Sequence, residues 1–178
     1  GKPHPLMKKY KVNAVPFQHP DIDIWRENFK GVQYLHKPTN LLITGAVDDV
    51  WVDPKRNLIV VDYKSTSTTK EIDLNDGTPW KEGYKRQMEI YQWLLRRNGF
   101  KVSNTGYFVY VNADTGQDAF SSKLVFDEQL IAYKGDDGWV EQAIVDAHKC
   151  LCKKKAPKGS EACEWCAYRE AVSEALGA

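Results

Sequence analysis

The sequence predicts an α/β (α+β) fold in which helices flank a mixed central β-sheet. Short stretches rich in Val, Ile and aromatic residues indicate strands, and two longer stretches with helical spacing of apolar residues indicate helices. Their order, three strands, a helix, two strands and a helix, favours a mixed sheet. The chain has 178 residues, of which 42% are hydrophobic. We therefore expect one domain over residues 1–178, with a cysteine-containing C-terminal segment at residues 150–178.

The first half of the chain predicts a short helix at residues 21–29 and a strand at residues 31–37, followed by a hairpin at residues 43–65. The Ser, Thr, Asn, Asp and Gly of residues 65–78 predict a loop that lies over a cleft.

The second half begins with the best-defined helix, over residues 79–97, because its apolar residues recur at helical spacing and Asn98-Gly99 is a natural stop. We expect two further strands and another helix at residues 105–111, 120–126 and 138–151.

The hairpin brings two aspartates together. If it closes about Lys55, then Val50 faces Val60 and Asp48 faces Asp62. Because side chains alternate along a strand, Lys64 projects from the same side as Asp62. Three ionisable groups are therefore expected in one patch.

Two carboxylates about 5 Å apart repel each other by roughly 3 kcal/mol at an effective dielectric constant near 20. A hard divalent cation such as Mg²⁺ offsets this repulsion, and it typically uses one or two protein carboxylates. The alternative is an ion-pair network in which Lys64 alone offsets the repulsion and no chemistry takes place.

Three short motifs follow in order along this region: Gly45-Ala46-Val47-Asp48, then Asp62-Tyr63-Lys64, then Gln87-Met88-Glu89-Ile90-Tyr91. As GxxD, DxK and QxxxY, they resemble the motif set of the PD-(D/E)xK nucleases in the RecB-like branch. The resemblance covers about the middle third of the chain and implies a restriction-endonuclease-like core.

The resemblance also implies roles for individual residues. Asp48 and Asp62 would bind Mg²⁺ or Mn²⁺, and the Tyr63 carbonyl would add a ligand. Lys64 would position the attacking water or stabilise the transition state, while Gln87 and Tyr91 would line the same cleft. The expected activity is that of a metal-dependent deoxyribonuclease, a hydrolase of DNA phosphodiester bonds.

One ambiguity concerns the register of the hairpin. A slip by one residue exchanges every side chain between the two faces, and Asp49 would then take the place of Asp48. We prefer Asp48, because it fits the GxxD motif and pairs with Asp62 in the simplest register.

The formal net charge is only +1, so DNA binding must depend on local basic patches. We expect Lys81, Lys85 and Arg86, near the start of the long helix, to contact DNA. The alternative is an ordinary solvated helix face. Further basic residues are Arg96, Arg97, Lys101, Lys149, Lys153, Lys154, Lys155 and Lys158.

Related nucleases usually begin with a helix that carries a His or Glu near the metal, and the chain shows no clear counterpart. His4, His19 and His36 are candidates by residue type, but each is better interpreted as a surface or core histidine. Either the start of the chain is trimmed or this motif has diverged.

Four cysteines lie near the C-terminus, at Cys150, Cys152, Cys163 and Cys166. Cys163 and Cys166 have the spacing of a metal knuckle, and all four could form a four-thiolate site for zinc. Some RecB-like nucleases hold a 4Fe–4S cluster in such a segment, but they use a further cysteine before the nuclease core. The alternative is reduced thiols in an intracellular protein.

The sequence has no run of 18 apolar residues and no signal-peptide pattern, so we expect a cytoplasmic protein with no membrane association. The expected partner is DNA, together with a larger repair, recombination or phage complex. Repair, recombination and defence are the expected pathways. A second hypothesis is a catalytically silent nucleic-acid-binding or scaffold module that retains the nuclease fold.

Overall fold

A computed structural model of the chain describes residues 2–116, 119 and 122–177. Its residues form two compact units, Gly1–Glu141 and Gln142–Ala178.

The first unit contains the sheets. Its helices are α1 (Pro5–Lys9), α2 (Ile22–Trp25) and α3 (Pro79–Arg97). Its strands are β1 (Val15–Pro16), β2 (Val32–His36), β3 (Leu41–Gly45), β4 (Asp49–Val52), β5 (Leu58–Thr66), β6 (Thr105–Ala113) and β7 (Phe126–Lys134). Helix α4 (Val140–Leu151) begins at the end of the first unit and continues into the second, where α5 (Glu164–Leu176) follows.

The predicted mixed sheet is confirmed. Five strands form one sheet in the order β1-β4-β5-β6-β7, and β2 pairs with β3 in a separate two-stranded sheet. Strands β5 and β6 are parallel, whereas the other neighbouring pairs are antiparallel. A parallel pair needs a long crossover, and α3 lies in the connection between β5 and β6.

Helices α1 and α3 lie on opposite faces of the five-stranded sheet. Leu6 and Met7 of α1 pack with Trp51, Ile59 and Val61 on one face. The side chains of β5 alternate, and Lys64 on the other face reaches Gln87 of α3. The sheet therefore forms the middle layer, and α3 covers the face that carries Asp62.

The predicted hairpin register is observed, with Val50 opposite Val60 and Val52 opposite Leu58. The extent predicted for the first arm was wrong, because residues 43–45 belong to β3 in the other sheet. The backbone leaves the strand conformation at residues 46–48, where the Val47 N–H donates to the Trp25 carbonyl at 3.0 Å. A contact distant in sequence thus ends the arm.

Helix α3 has the predicted bounds, whereas other predicted elements differ in extent. The helices predicted at 21–29 and 138–151 cover only Ile22–Trp25 and Val140–Leu151. The strand predicted at 120–126 was wrong, because residues 122–125 are not in a strand and β7 begins at Phe126. Residues 120 and 121 lie outside the described residues. β7 pairs with β6 along its full length, and this long-range pairing sets its position.

In the described part of the chain, no helix is both long enough and apolar enough to cross a membrane.

Candidate active site

A cleft of about 800 Å³ opens in the first unit above the face of the sheet that α3 covers. Its wall includes side chains from β5, from α3 and from the segment after β3. The residues predicted for the site that line it are Asp48, Asp62, Tyr63, Lys64, Arg86, Gln87 and Tyr91. The structure thus brings together three sequence motifs that are separated by up to 43 positions in the chain, from Asp48 to Tyr91.

Asp62 is the most buried carboxylate of this cleft, with only 2% of the residue exposed. It lies on β5, an inner strand of the sheet. The Lys64 ammonium lies 2.5 Å from Asp62 Oδ2, but this oxygen has no partner in hydrogen-bond geometry. Burial raises the pKa of Asp62 to about 6, while Lys64 opposes the rise and Asp48 adds to it.

Asp48 lies just before β4 and is exposed to solvent in the cleft. Its Oδ2 accepts a hydrogen bond of 2.8 Å from the backbone N–H of Tyr63. This bond ties Asp48 to the strand that carries Asp62, and the negative charge of Asp48 contributes to the raised pKa of Asp62. The two carboxylates therefore act on each other directly, although the β4–β5 pairing begins at Asp49 and does not include Asp48.

Asp49 has a different position. Its Oδ1 accepts from Arg26 at 2.7 Å, and its Oδ2 accepts from the Trp51 indole at 2.9 Å. Asp49 does not line the cleft and instead fixes the indole of a buried tryptophan. The observed register thus puts Asp48, rather than Asp49, in the cleft.

Lys64 is held by residues of α3. Its ammonium donates to Gln87 Oε1 at 3.2 Å, and Gln87 Nε2 donates to the Tyr91 hydroxyl at 2.7 Å. The ammonium also lies 4.3 Å from the centre of the Tyr84 ring, a cation–π distance. Burial raises the pKa of Tyr91 to about 12, so its hydroxyl stays protonated at neutral pH.

The glycine of the first motif has a steric role. A Cβ atom at Gly45 would lie 2.7 Å from the ring of Tyr91 and 2.9 Å from Leu94 Cδ1. The missing side chain lets β3 approach α3 closely, so that Tyr91 can reach the cleft.

These groups fit a divalent metal. The buried Oδ2 of Asp62 lacks a hydrogen-bond partner, and carboxylate oxygens are the ligands that Mg²⁺ and Mn²⁺ prefer. Within the described ranges, no group of three or more His, Cys, Asp or Glu side chains could hold a metal ion. The cleft thus offers a pair of carboxylates, which suits Mg²⁺ because this ion usually keeps several waters.

The three basic residues predicted to contact DNA differ in their surroundings. The Lys81 ammonium is buried and bonds to the Asp73 carbonyl and to Asp76 Oδ2. Lys85 bonds to Asn75 and Glu82. Arg86 is exposed and lines the cleft, so it is the basic group best placed to meet a phosphate.

The histidines of the first unit lie away from these carboxylates. His4 caps α1, and His19 stacks on Trp25 at 4.5 Å between ring centres. His36 is buried between Thr39 and Glu141. Among the described residues, no histidine lines the cleft.

The cysteines lie in the second unit. Cys163 and Cys166 are hydrogen-bonded to each other, which lowers the pKa of the Cys163 thiol. The Cys152 sulfur lies 3.7 Å from His148 Nε2. The described residues thus hold Cys163 and Cys166 together, without the third ligand that a zinc or iron–sulfur site needs.

Sequence reasoning missed two aromatic residues of this region. Tyr84 lies under the Lys64 ammonium, whereas its spacing in the sequence indicates only that it belongs to the helix. Trp139 lines the cleft while its indole donates to Glu89 at 2.6 Å. Glu89 is inside the third motif, but nothing in the sequence indicates that it anchors a residue 50 positions away.

A family model described as the PD-(D/E)XK nuclease superfamily matches residues 5–171 of the chain. No solved structure matches the chain. The matched span includes the five-stranded mixed sheet and every cleft residue named above, and the architecture is consistent with a restriction-endonuclease-like core. The chain belongs to the PD-(D/E)XK nuclease superfamily, whose members are generally nucleases and typically use divalent metals such as Mg²⁺.

Proposed function

We propose that this protein is a metal-dependent deoxyribonuclease of the RecB-like branch. The observation that carries the proposal is the buried Asp62 oxygen without a hydrogen-bond partner, beside Lys64 and in one cleft with Asp48. A buried carboxylate that is only partly compensated is destabilising by itself, and a bound cation would offset it.

Asp48 and Asp62 hold Mg²⁺ or Mn²⁺ in this proposal, with the Tyr63 carbonyl as a further ligand. The metal supplies polarisation of the phosphoryl oxygen and a lower pKa of a bound water. Lys64 places a positive charge where negative charge develops on the phosphate, or it orients the attacking water. Gln87 holds Lys64 in place and is itself held by Tyr91.

Arg86 is the leading candidate for contact with the DNA backbone, because its side chain is exposed at the cleft. The ammonium groups of Lys81 and Lys85 bond to the neighbouring loop, at Asp73, Asn75 and Asp76. These two lysines would therefore contribute to DNA binding by long-range electrostatic attraction rather than by direct contact. Assignment to the RecB-like branch is supported by the order of the three motifs. The first runs from the last residue of β3 to the residue before β4, the second lies on β5 and the third lies on α3.

Such an enzyme would act in DNA repair, recombination or defence. We place it in the cytoplasm, within a larger repair or phage complex. At the C-terminus, zinc or a 4Fe–4S cluster would require Cys150 and Cys152 to approach Cys163 and Cys166. Without that rearrangement, the cysteines remain free thiols.

The second candidate is a catalytically silent nucleic-acid-binding or scaffold module. It is favoured by the absence, among the described residues, of a histidine that lines the cleft and could serve as a further ligand beside Asp48 and Asp62. Calorimetric titration with Mn²⁺, combined with a cleavage assay on DNA, separates the two candidates.

We expect metal binding and cleavage by the wild type, and loss of both in Asp62→Ala. The matched control is Asp23→Ala, which removes a carboxylate that is 92% exposed and outside the cleft. Metal binding without cleavage, or no metal binding in the wild type, would favour the silent module.

A further inference from the structure

The candidate active site has an apolar wall that the proposed metal chemistry does not use. Trp139 and Ile90 line the same cleft as the charged side chains of Asp48, Asp62 and Lys64. Trp139 is 37% exposed, so part of its ring surface is open to solvent. A nucleotide is divided in the same way, into a charged phosphate and the apolar faces of its base and sugar. The cleft therefore offers a surface to both parts of a nucleotide.

Glu89 of α3 fixes the orientation of the Trp139 indole. The indole N–H donates to Glu89 Oε2 at 2.6 Å. A hydrogen bond to a carboxylate is shorter and stronger than one between neutral groups. Because this N–H is the only polar group of the tryptophan side chain, the exposed remainder of Trp139 is apolar ring surface. The indole is thus held with its polar edge at α3 and presents its carbon surface to the cleft.

The Glu89 carboxylate is buried, and all three of its hydrogen-bond donors are neutral. Besides the indole of Trp139, the Tyr133 hydroxyl donates to Oε1 at 2.6 Å and the Asp136 N–H donates to Oε1 at 3.1 Å. A buried carboxylate is costly unless such donors compensate it. Glu89 therefore joins α3 to the end of β7 and to the residues that follow it.

The loop between β7 and α4, which carries Trp139, lies tightly against α3. A Cβ atom at Gly135 would lie 2.5 Å from Gln92 Oε1, so only glycine fits there without a shift. Asp137 forms an ion pair with Arg96 of α3. The loop is thus fastened to the helix at several points. The apolar wall is formed before a substrate enters, which lowers the entropic cost of binding.

Arg86 places a phosphate-binding group on the same side of α3. It lies three residues before Glu89, and residues at this spacing are neighbours on a helix surface. Arg86 is exposed and lines the cleft, as Trp139 does. A DNA phosphate at Arg86 would therefore bring the adjoining nucleoside towards the indole.

We propose that Trp139 packs against the base or sugar of the nucleotide beside the phosphate at Arg86, and that Glu89 is the positioning residue that holds the indole there. The inference rests on the proposed nuclease function and deepens it by naming a further substrate-contacting residue. Glu89 lies within the third motif but is neither its glutamine nor its tyrosine.

The test uses the full chain and a fluorescently labelled DNA hairpin with a single-stranded tail, which offers both paired and unpaired nucleotides. Anisotropy in EDTA gives Kd without cleavage, and cleavage with Mn²⁺ gives kcat and KM. We expect Trp139→Ala to raise Kd and KM about 5- to 100-fold, the range for loss of one stacked contact, with kcat nearly unchanged. Trp139→Phe keeps an aromatic ring and should restore part of the affinity.

The matched control is Tyr133→Phe, which removes a donor from the other oxygen of Glu89 and leaves Trp139 in place. It should lower the free energy of unfolding without changing KM. A double-mutant cycle then tests how Glu89 acts. Glu89→Ala should raise Kd in the wild-type background and have no further effect in Trp139→Ala. If Glu89→Ala does not fold, Glu89→Gln, which keeps the side-chain volume, takes its place.

Abasic sites placed one at a time along the DNA distinguish a base contact from a sugar contact. Contact with a base predicts one position at which loss of the base weakens binding to the wild type but not to Trp139→Ala. Contact with a sugar predicts that both proteins respond alike at every position, while Trp139→Ala still binds the intact DNA more weakly.

Unchanged Kd and KM in Trp139→Ala would overturn the inference. Independent, multiplying effects in the cycle, or no loss of affinity in the folded Glu89 variant, would overturn the positioning role of Glu89. If the wild type cuts DNA and Trp139→Ala behaves like it, the inference fails and the nuclease proposal stands. If Trp139→Ala loses affinity but the wild type never cuts DNA, the nuclease proposal fails and Trp139 remains a binding residue.

Discussion

At the scale of single residues, the neighbouring aspartates Asp48 and Asp49 have different roles. Asp48 is exposed in the cleft, while Asp49 anchors Arg26 and the indole of Trp51. The difference follows from the start of β4 between them: Asp49 is the first residue of the strand, whereas Asp48 lies just before it and is held by the Tyr63 N–H. Substitutions at these two positions should therefore have different kinds of effect.

We predict that Asp48→Ala, Asp62→Ala and Lys64→Ala each lower metal-dependent DNA cleavage about 100-fold or more while leaving the fold intact. Asp49→Ala should instead lower the free energy of unfolding, because it leaves the Arg26 and Trp51 donors without their acceptor. Cleavage rates and urea denaturation of the four variants provide the measurement. Normal cleavage by Asp62→Ala would refute the assignment.

The buried carboxyl of Asp62 also predicts how stability depends on pH. Its pKa is about 6 in the folded protein and 3.8 in an unfolded chain, so the folded state binds the proton more tightly. The stabilisation from the protonated form is complete below pH 3.8 and is lost as the pH rises to about 6 and above. Each unit by which the pKa is raised corresponds to about 1.4 kcal/mol.

We therefore predict that Asp62→Asn, which mimics the neutral carboxyl, raises the free energy of unfolding at pH 8 in EDTA and leaves it nearly unchanged at pH 4. The difference between variant and wild type is the quantity to measure, because it removes the contributions of other titrating groups. A difference that is the same at both pH values would show that the carboxyl is not destabilised by burial.

At the scale of elements, α3 was predicted with its bounds because local signals coincide. Pro79 stands in the first turn, the apolar residues recur at helical spacing, and Asn98-Gly99 follow the last turn. The β4–β5 register was also predictable, because a turn and two alternating arms define it. The sequence did not predict the end of β3 at Gly45, the start of β7 or the ion pair between Lys81 and Asp76. The first two depend on contacts between residues distant in sequence, and the ion pair depends on the path of a loop.

The contact between β3 and α3 gives the next prediction. Gly45→Ala should displace the Tyr91 ring, weaken its bond to Gln87 and lower both cleavage and the free energy of unfolding, the latter by about 1–3 kcal/mol. Gly83→Ala is the control for stability, since a Cβ there meets nothing within 4 Å and alanine favours a helix. Thermal denaturation should separate the two. Equal behaviour would show that α3 shifts to accommodate the methyl group.

Along α3, neighbouring basic residues should differ in their effect on DNA binding. Arg86→Ala should lower affinity for all DNA sequences and reduce the slope of log affinity against log salt by about 0.7–0.9, the contribution of one phosphate contact. Lys85→Ala should have a smaller effect, because its ammonium bonds to Glu82 and Asn75. The salt dependence of binding to an oligonucleotide measures both. A slope unchanged by Arg86→Ala would place that residue on an ordinary solvated face.

At the scale of the whole molecule, the two compact units carry different chemistry. The candidate active site is built entirely from residues of Gly1–Glu141, and the four cysteines lie in Gln142–Ala178. Cys163 and Cys166 have the spacing of a metal knuckle, and in the structure they are hydrogen-bonded to each other. Whether other cysteines join them depends on how the segment between α4 and α5 is arranged, which spacing alone does not determine.

The thiols of the second unit give the last prediction. Cys163 is the N-cap of α5, and hydrogen bonds from Cys166 lower its pKa, so its thiolate is more populated than that of an ordinary cysteine. We predict that limiting iodoacetamide at pH 7 alkylates Cys163 before Cys152, although Cys152 is the more exposed. Peptide mass spectrometry after timed quenching gives the order. If Cys163 is instead protected until a chelator is added, the thiols hold a metal, and elemental analysis for zinc and iron identifies it.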